Sequence, residues 1–232
     1  MADHSGADQP SAQLANGRLV AGVAIVSTAL FVVLTALVVA RQTDVLDRNL
    51  ILSLRASASP WLTTALLAVT FTSGRLAIPA FIVFALALYR RGGAHAAGYY
   101  AGACATAQAL NAVMKHAVGR VRPHNVSPRL TAAGGFGYPS ADAMLAVVIF
   151  GLGTLMLCWT IRSRATRVVA LGGVAIFIAL ASVARVYLGA HWPTDVLGGA
   201  LAGVGCAAVW SVAFMRGMQA RVEQPPREMQ IE

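Results

Sequence analysis

The sequence predicts an all-α, polytopic membrane protein packed as one bundle of six transmembrane helices. Hydrophobic residues make up 57% of the 232 positions and charged residues only 12%, which is too apolar for an ordinary soluble domain. The apolar residues also fall into runs near bilayer-crossing length, most of them ended by arginine. The formal charge of +9 does not imply a nucleic-acid partner. No Lys/Arg block carries interleaved aromatics, and the basic residues mostly flank apolar runs, where they orient helices in the lipid bilayer.

Residues 1–17 form a polar tail, and Leu19–Ala40, bounded by Arg18 and Arg41, is the first span. Asp44–Arg55 mixes charges with Val45, Leu46, Leu50, Ile51 and Leu54, as an interfacial amphipathic helix does. Pro60–Ser73 is apolar but short, an interfacial or partly inserted segment. Leu76–Tyr89 is the second span and Ala96–Val118 the third, its glycines and alanines suited to close helix packing. A polar loop, Gly119–Gly137, precedes the last three spans, Ser140–Ile161, Val168–Val186 and Thr194–Met215. Residues 18–217 thus make one membrane domain, followed by a polar tail at 218–232.

Cys104, Cys158 and Cys206 lie inside apolar segments without metal-ligand spacing, and read as small buried hydrophobes. Tyr99, Tyr100, Tyr187 and Trp192 read as interfacial aromatics, and Arg120 and Arg129 as solvated loop charges. With both termini cytoplasmic, the short inside loops hold Arg90, Arg91, Arg162, Arg164 and Arg167. The polar islands described next then share the opposite, extracytoplasmic face.

Asp142 and Asp195 are the only acidic residues between Asp47 and Glu223. A carboxylate in so apolar a chain is costly unless paired. His191 lies four residues before Asp195, and Arg185 six before His191. Upstream are Lys115-x6-Arg122-Pro123 and Pro139-Ser140-Ala141-Asp142. These islands resemble, in order and spacing, the three signature motifs of the type 2 phosphatidic acid phosphatase superfamily, the integral-membrane lipid phosphate phosphatases. The first motif, Lys-x6-Arg-Pro, is complete. The third is present as Arg185-x5-His191-x3-Asp195. The second, Pro-Ser-Gly-His in the family, has Ala141 and Asp142 at its last two positions, and Ala184 replaces the serine before Arg185.

The resemblance implies a six-helix bundle of the lipid phosphate phosphatase type, in the plasma (inner) membrane. It implies an integral-membrane hydrolase with no metal and no cofactor, removing phosphate from a lipid phosphate or isoprenoid pyrophosphate. His191 would be the nucleophile forming a phosphohistidine, and Asp195 would hold its other nitrogen. Lys115, Arg122, Ser140 and Arg185 would bind the phosphate. Asp142 occupies the family's general-acid position, yet an aspartate near its ordinary pKa of about 3.9 is a poor proton donor at neutral pH. Three readings stay open: a pyrophosphate substrate of the undecaprenyl type, whose leaving phosphate needs little protonation; proton donation by His124 or His116; or a catalytically impaired homologue that binds lipid phosphate or serves as a partner subunit. A lipid phosphotransferase, with a second lipid replacing water, is the rival within the enzyme class.

Overall fold

The computed structural model describes residues 9–126, 130 and 134–223. The outer parts of both expected tails, and Arg129, lie outside the described residues. Helix α1 runs Gln9–Val39, α2 Asp44–Ala56, α3 Pro60–Gly74 and α4 Ala77–Val118. Helix α5 covers Ala141–Cys158 with a π turn at Ala146–Leu152, α6 covers Arg164–Tyr187, and α7 covers Pro193–Glu223. Three of the helix starts have a plain local cause. Pro60 and Pro193 open α3 and α7, where a missing N–H costs nothing. Ser163 caps α6 by accepting the Thr166 N–H.

Against the six spans the sequence predicts, five helices among the described residues are long and apolar enough to cross a membrane. The difference lies in α4. Gly93 has φ 69° and ψ −169°, a backbone state that interrupts the helix and that glycine adopts without strain. The rings of Phe81 and Tyr100 stack with centroids 5.6 Å apart. Along a straight helix the two residues would be about 28 Å apart at 1.5 Å per residue. The two halves therefore fold back on each other, and the second and third expected spans are the arms of one broken 42-residue helix.

Helix α1 packs along α7, and α7 in turn packs against α4 and α5. Phe31, Val38, Tyr100, Met144, Val148, Cys206 and Phe214 form the central cluster. Gly199 and Gly203 of α7 lie so close to the carbonyls of Ser140 and Met144 that neither leaves room for a Cβ. That contact sets the start of α5 against the start of α7. Outward, Ile25, Val83, Val169 and Ile176 are each well over half exposed, a surface that matches lipid and not water.

Two expectations change. Tyr100 and Tyr187 are buried rather than interfacial. Tyr100 Oη donates to the Ile149 carbonyl inside the π turn, and Tyr187 Oη pairs with Thr63 Oγ1 at 2.8 Å, tying α3 to α6. The three cysteines are free and buried.

Candidate active site

Helix α4 stops one turn after Lys115, where the left-handed Gly119 donates to the Lys115 carbonyl. The chain then carries Arg120 and Arg122 across the end of the bundle. It returns at Gly137, whose N–H donates to the Arg120 carbonyl at 2.7 Å. Tyr138 anchors the return by stacking on Phe31 and pairing its hydroxyl with Thr35 Oγ1. Burial pushes the Tyr138 phenol up to about 12, so it stays a neutral partner there. On the other side, α6 ends and the chain turns at Gly189, φ 69°. The Ala190 and His191 N–H groups both donate to the Arg185 carbonyl, which aims the imidazole inward.

His191 is 1% exposed. Its Nε2 lies 3.1 Å from Arg122 Nη1. Guanidinium has only donors, so Nε2 accepts and the ring proton sits on Nδ1. That nitrogen faces Asp195 Oδ2 at 3.4 Å. The approach is an electrostatic pairing without hydrogen-bond alignment, and among the described residues Nδ1 has no better partner. Burial pushes the His191 pKa below its ordinary value, with Asp195 opposing the shift. The imidazole is therefore neutral at pH 7, with its one lone pair on Nε2, where the Arg122 donor holds it.

The cations gather around that ring. Arg122 also donates to the carbonyls of Gly134, Gly135 and Ala190, which fixes the plane of its fork. Lys115 Nζ donates to the next carbonyl along, Phe136, at 2.8 Å. Arg185 Nη2 donates to Asp142 Oδ1 at 2.8 Å, while its Nε is buried without a hydrogen-bond partner among the described residues. The second carboxylate oxygen of Asp142 lies 3.9 Å from His191 Nε2. So His191, Asp195, Arg122, Arg185 and Asp142 meet at one end of the bundle, and Lys115 joins them through the 134–136 stretch.

Other expected members stand apart. Ser140 is fully buried and caps α5: its Oγ accepts the Ala143 N–H, and its own N–H donates to the Asp195 carbonyl. His124 is exposed and makes no side-chain hydrogen bond among the described residues. His116 is exposed and leans edge-on against Phe136.

Arg120 corrects the sequence reading outright. Its side chain is 10% exposed, not a solvated loop charge. Nη1 donates to Asp195 Oδ1 at 2.9 Å and Nη2 to Asp47 Oδ2 at 2.6 Å, with the guanidinium 5.4 Å from the Trp192 ring centroid. Burial would lower its pKa, but Asp195 and Asp47 outweigh burial and hold it above the ordinary guanidinium value. Asp47, on α2, is fully buried and also escaped the sequence reading. A signal existed: Asp47 shares one helical face with Ile51 and Leu54, which marks it as inward-facing.

The PAP2 superfamily profile matches residues 96–218, just over half the chain. The chain belongs to the PAP2 superfamily. That family is one of membrane lipid phosphatases, and the five apolar helices make this member a multi-pass membrane protein. Lipid A 4'-phosphatase of Bacteroides thetaiotaomicron is 33% identical over 109 residues, 41% of this PAP2 chain and 43% of the relative. The chain thus spans less than half of that relative's length. Two solved structures share the fold. The PAP2-type phosphatidylglycerolphosphate phosphatase of Bacillus subtilis superposes with a TM-score of 0.74 at 20% identity, covering 88% of this chain and 98% of that one. Aquifex aeolicus LpxE gives 0.56 at 18% identity, covering 70% and 93%.

Proposed function

We propose that this PAP2 member hydrolyses a phosphate ester or anhydride of a membrane lipid through a phosphohistidine on His191. The observation that carries the reading is the His191 ring itself. Arg122 faces Nε2, Asp195 faces Nδ1, and Arg185 stands beyond Asp142. As substrate enters, Arg122 moves its Nη1 donor from Nε2 to a phosphoryl oxygen. Nε2 then attacks phosphorus and the bond to the leaving oxygen breaks, while Arg122, Arg185 and Lys115 hold the remaining phosphoryl oxygens. Asp195 balances the positive charge that grows on the ring. Water then attacks phosphorus, the N–P bond breaks, and inorganic phosphate leaves with the imidazole neutral again.

Asp142 sets the substrate preference. It stands beside Nε2, where a leaving oxygen would need a proton, and its carboxylate is already engaged with Arg185. A phosphate leaving group departs as a stable anion, whereas an alkoxide needs an acid. The reading therefore favours a prenyl pyrophosphate over a phosphatidate. The site faces the extracytoplasmic side of the plasma membrane, with the arginine-bearing short loops inside.

Phosphate release from purified protein tests this. The panel is prenyl pyrophosphate, phosphatidate, phosphatidylglycerophosphate and a sphingoid phosphate, with His191→Ala as control. Release that is fastest on the pyrophosphate, abolished in His191→Ala and accompanied by acid-labile phosphoryl label on the protein supports the reading. The same Asp142–Arg185 pair also favours a second reading, an anion-binding homologue that turns over slowly. Saturable lipid-phosphate binding without release would select it.

A further inference from the structure

We propose that Asp47 is a positioning residue for the His191–Asp195 pair and acts through Arg120. The inference rests on the reading of His191 as nucleophile. Asp47 and Asp195 are both fully buried and come from helices far apart in the chain, yet they grip opposite ends of one guanidinium. Asp47 also accepts from the Thr194 backbone N–H at 2.9 Å and from Thr194 Oγ1 at 2.6 Å. Thr194 Oγ1 in turn accepts from Arg120 Nη1 at 2.7 Å. Asp47, Thr194 and Arg120 therefore form a closed ring of hydrogen bonds beside Asp195.

The ring has a mechanical consequence. Because the imidazole approaches Asp195 only to 3.4 Å, that contact does not by itself fix the carboxylate. Asp195 is fixed by its other two partners, the Trp192 N–H on Oδ2 and Arg120 on Oδ1. Arg120 is fixed in turn by Asp47. Docking α2 does not require this arrangement, since Ile51 on the same face is already fully buried. A carboxylate placed in an apolar interior solely for docking would be a costly choice.

A double-mutant cycle on the purified full chain separates positioning from docking. Asp47→Asn keeps the volume and the acceptor for the Thr194 N–H, but turns an N–H towards Arg120. Its kcat for phosphate release should fall about 10- to 100-fold, the effect of a small misplacement, with KM within about twofold. In an Arg120→Gln background the same substitution should cost nothing further. An equal loss in both backgrounds would assign Asp47 to docking alone and overturn the proposal, as would an Asp47→Asn kcat within twofold of wild type. Should Asp47→Asn not fold, Arg120→Lys decides, because a point charge cannot span both carboxylates. A wild-type kcat in Arg120→Lys overturns the proposal, and a matching loss at unchanged KM supports it. A wild-type rate that His191→Ala leaves intact fails the reading of His191 itself, and this inference with it.

Discussion

Arg185 and Asp142 form a 2.8 Å ion pair whose free carboxylate oxygen points to within 3.9 Å of His191 Nε2. Under the proposed mechanism, an anion of the protein already lies where a substrate oxygen must arrive. The pair is 31% exposed on the Asp142 side, so water weakens the repulsion without removing it. Asp142→Asn should tighten competitive inhibition by orthovanadate or inorganic phosphate by about fivefold or more, on the scale of 1 kcal/mol for a charge at about 4 Å in a highly polarisable setting. Asp142→His should raise monoester turnover relative to pyrophosphate turnover. Inhibition constants and the ratio of the two rates measure both effects, and a His variant with both rates unchanged would remove any role for this position.

The acid side of the pH profile belongs to His191. Its pKa is lowered by burial, so the native ring stays neutral as pH falls through the ordinary value near 6.5, while the unfolded chain takes up a proton there. Stability from this group is thus full above about pH 6.5 and is lost as pH falls from there towards the lowered native pKa. The acid limb of kcat/KM should accordingly lie below pH 6.5. Thermal unfolding between pH 5 and 7 should show a shallower pH slope in His191→Asn than in wild type. An acid limb above pH 6.5 would contradict the burial argument.

The sequence discloses those parts of the site that recur at fixed local spacing. Arg185, His191 and Asp195 bracket the turn between two helices, and Lys115 and Arg122 bracket the end of another, so their register alone predicts a shared end of the bundle. The pairing of Arg120 with Asp47, Thr194 and Asp195 was illegible for the opposite reason. Arg120 meets Asp47 across 73 positions and Asp195 across 75, and no local periodicity reports such a pairing. The fold shows the same division. Apolar runs locate the helices, but the joining of two runs into α4 depends on the backbone of a single residue, Gly93. Ser140 illustrates a further limit, since a hydroxyl at the start of a helix fits a cap and a phosphate donor equally well.

Gly137 tests how tightly Asp195 is held. A Cβ there would lie 2.7 Å from Asp195 Oδ2 and 3.4 Å from the Arg120 carbonyl. Asp195 is short, fully buried and already bonded to Arg120 and Trp192, so it has little room to move aside. Gly137→Ala should lower kcat by about tenfold or more, as a displaced acid misorients the imidazole. Gly172→Ala, where nothing lies within 4 Å of the added carbon, is the matched control and should keep the wild-type rate. Steady-state kinetics on the two variants make the comparison.

Tyr138 links the loop to α1 and gives a prediction about stability alone. Its ring is fully buried and stacked on Phe31 with centroids 6.1 Å apart, and its hydroxyl pairs with Thr35 Oγ1 at 2.8 Å. Tyr138→Phe keeps the ring and removes the hydroxyl. It should cost about 1 kcal/mol, the net worth of one such hydrogen bond. Thr35 Oγ1 retains the Phe31 carbonyl as an acceptor, so no unsatisfied donor adds to that cost. Thr35→Val should cost a similar amount, and the double substitution clearly less than the sum, since the two groups share one bond. Thermal unfolding in a single detergent measures all three, and strict additivity would show that the hydroxyl pair does not hold the loop against α1.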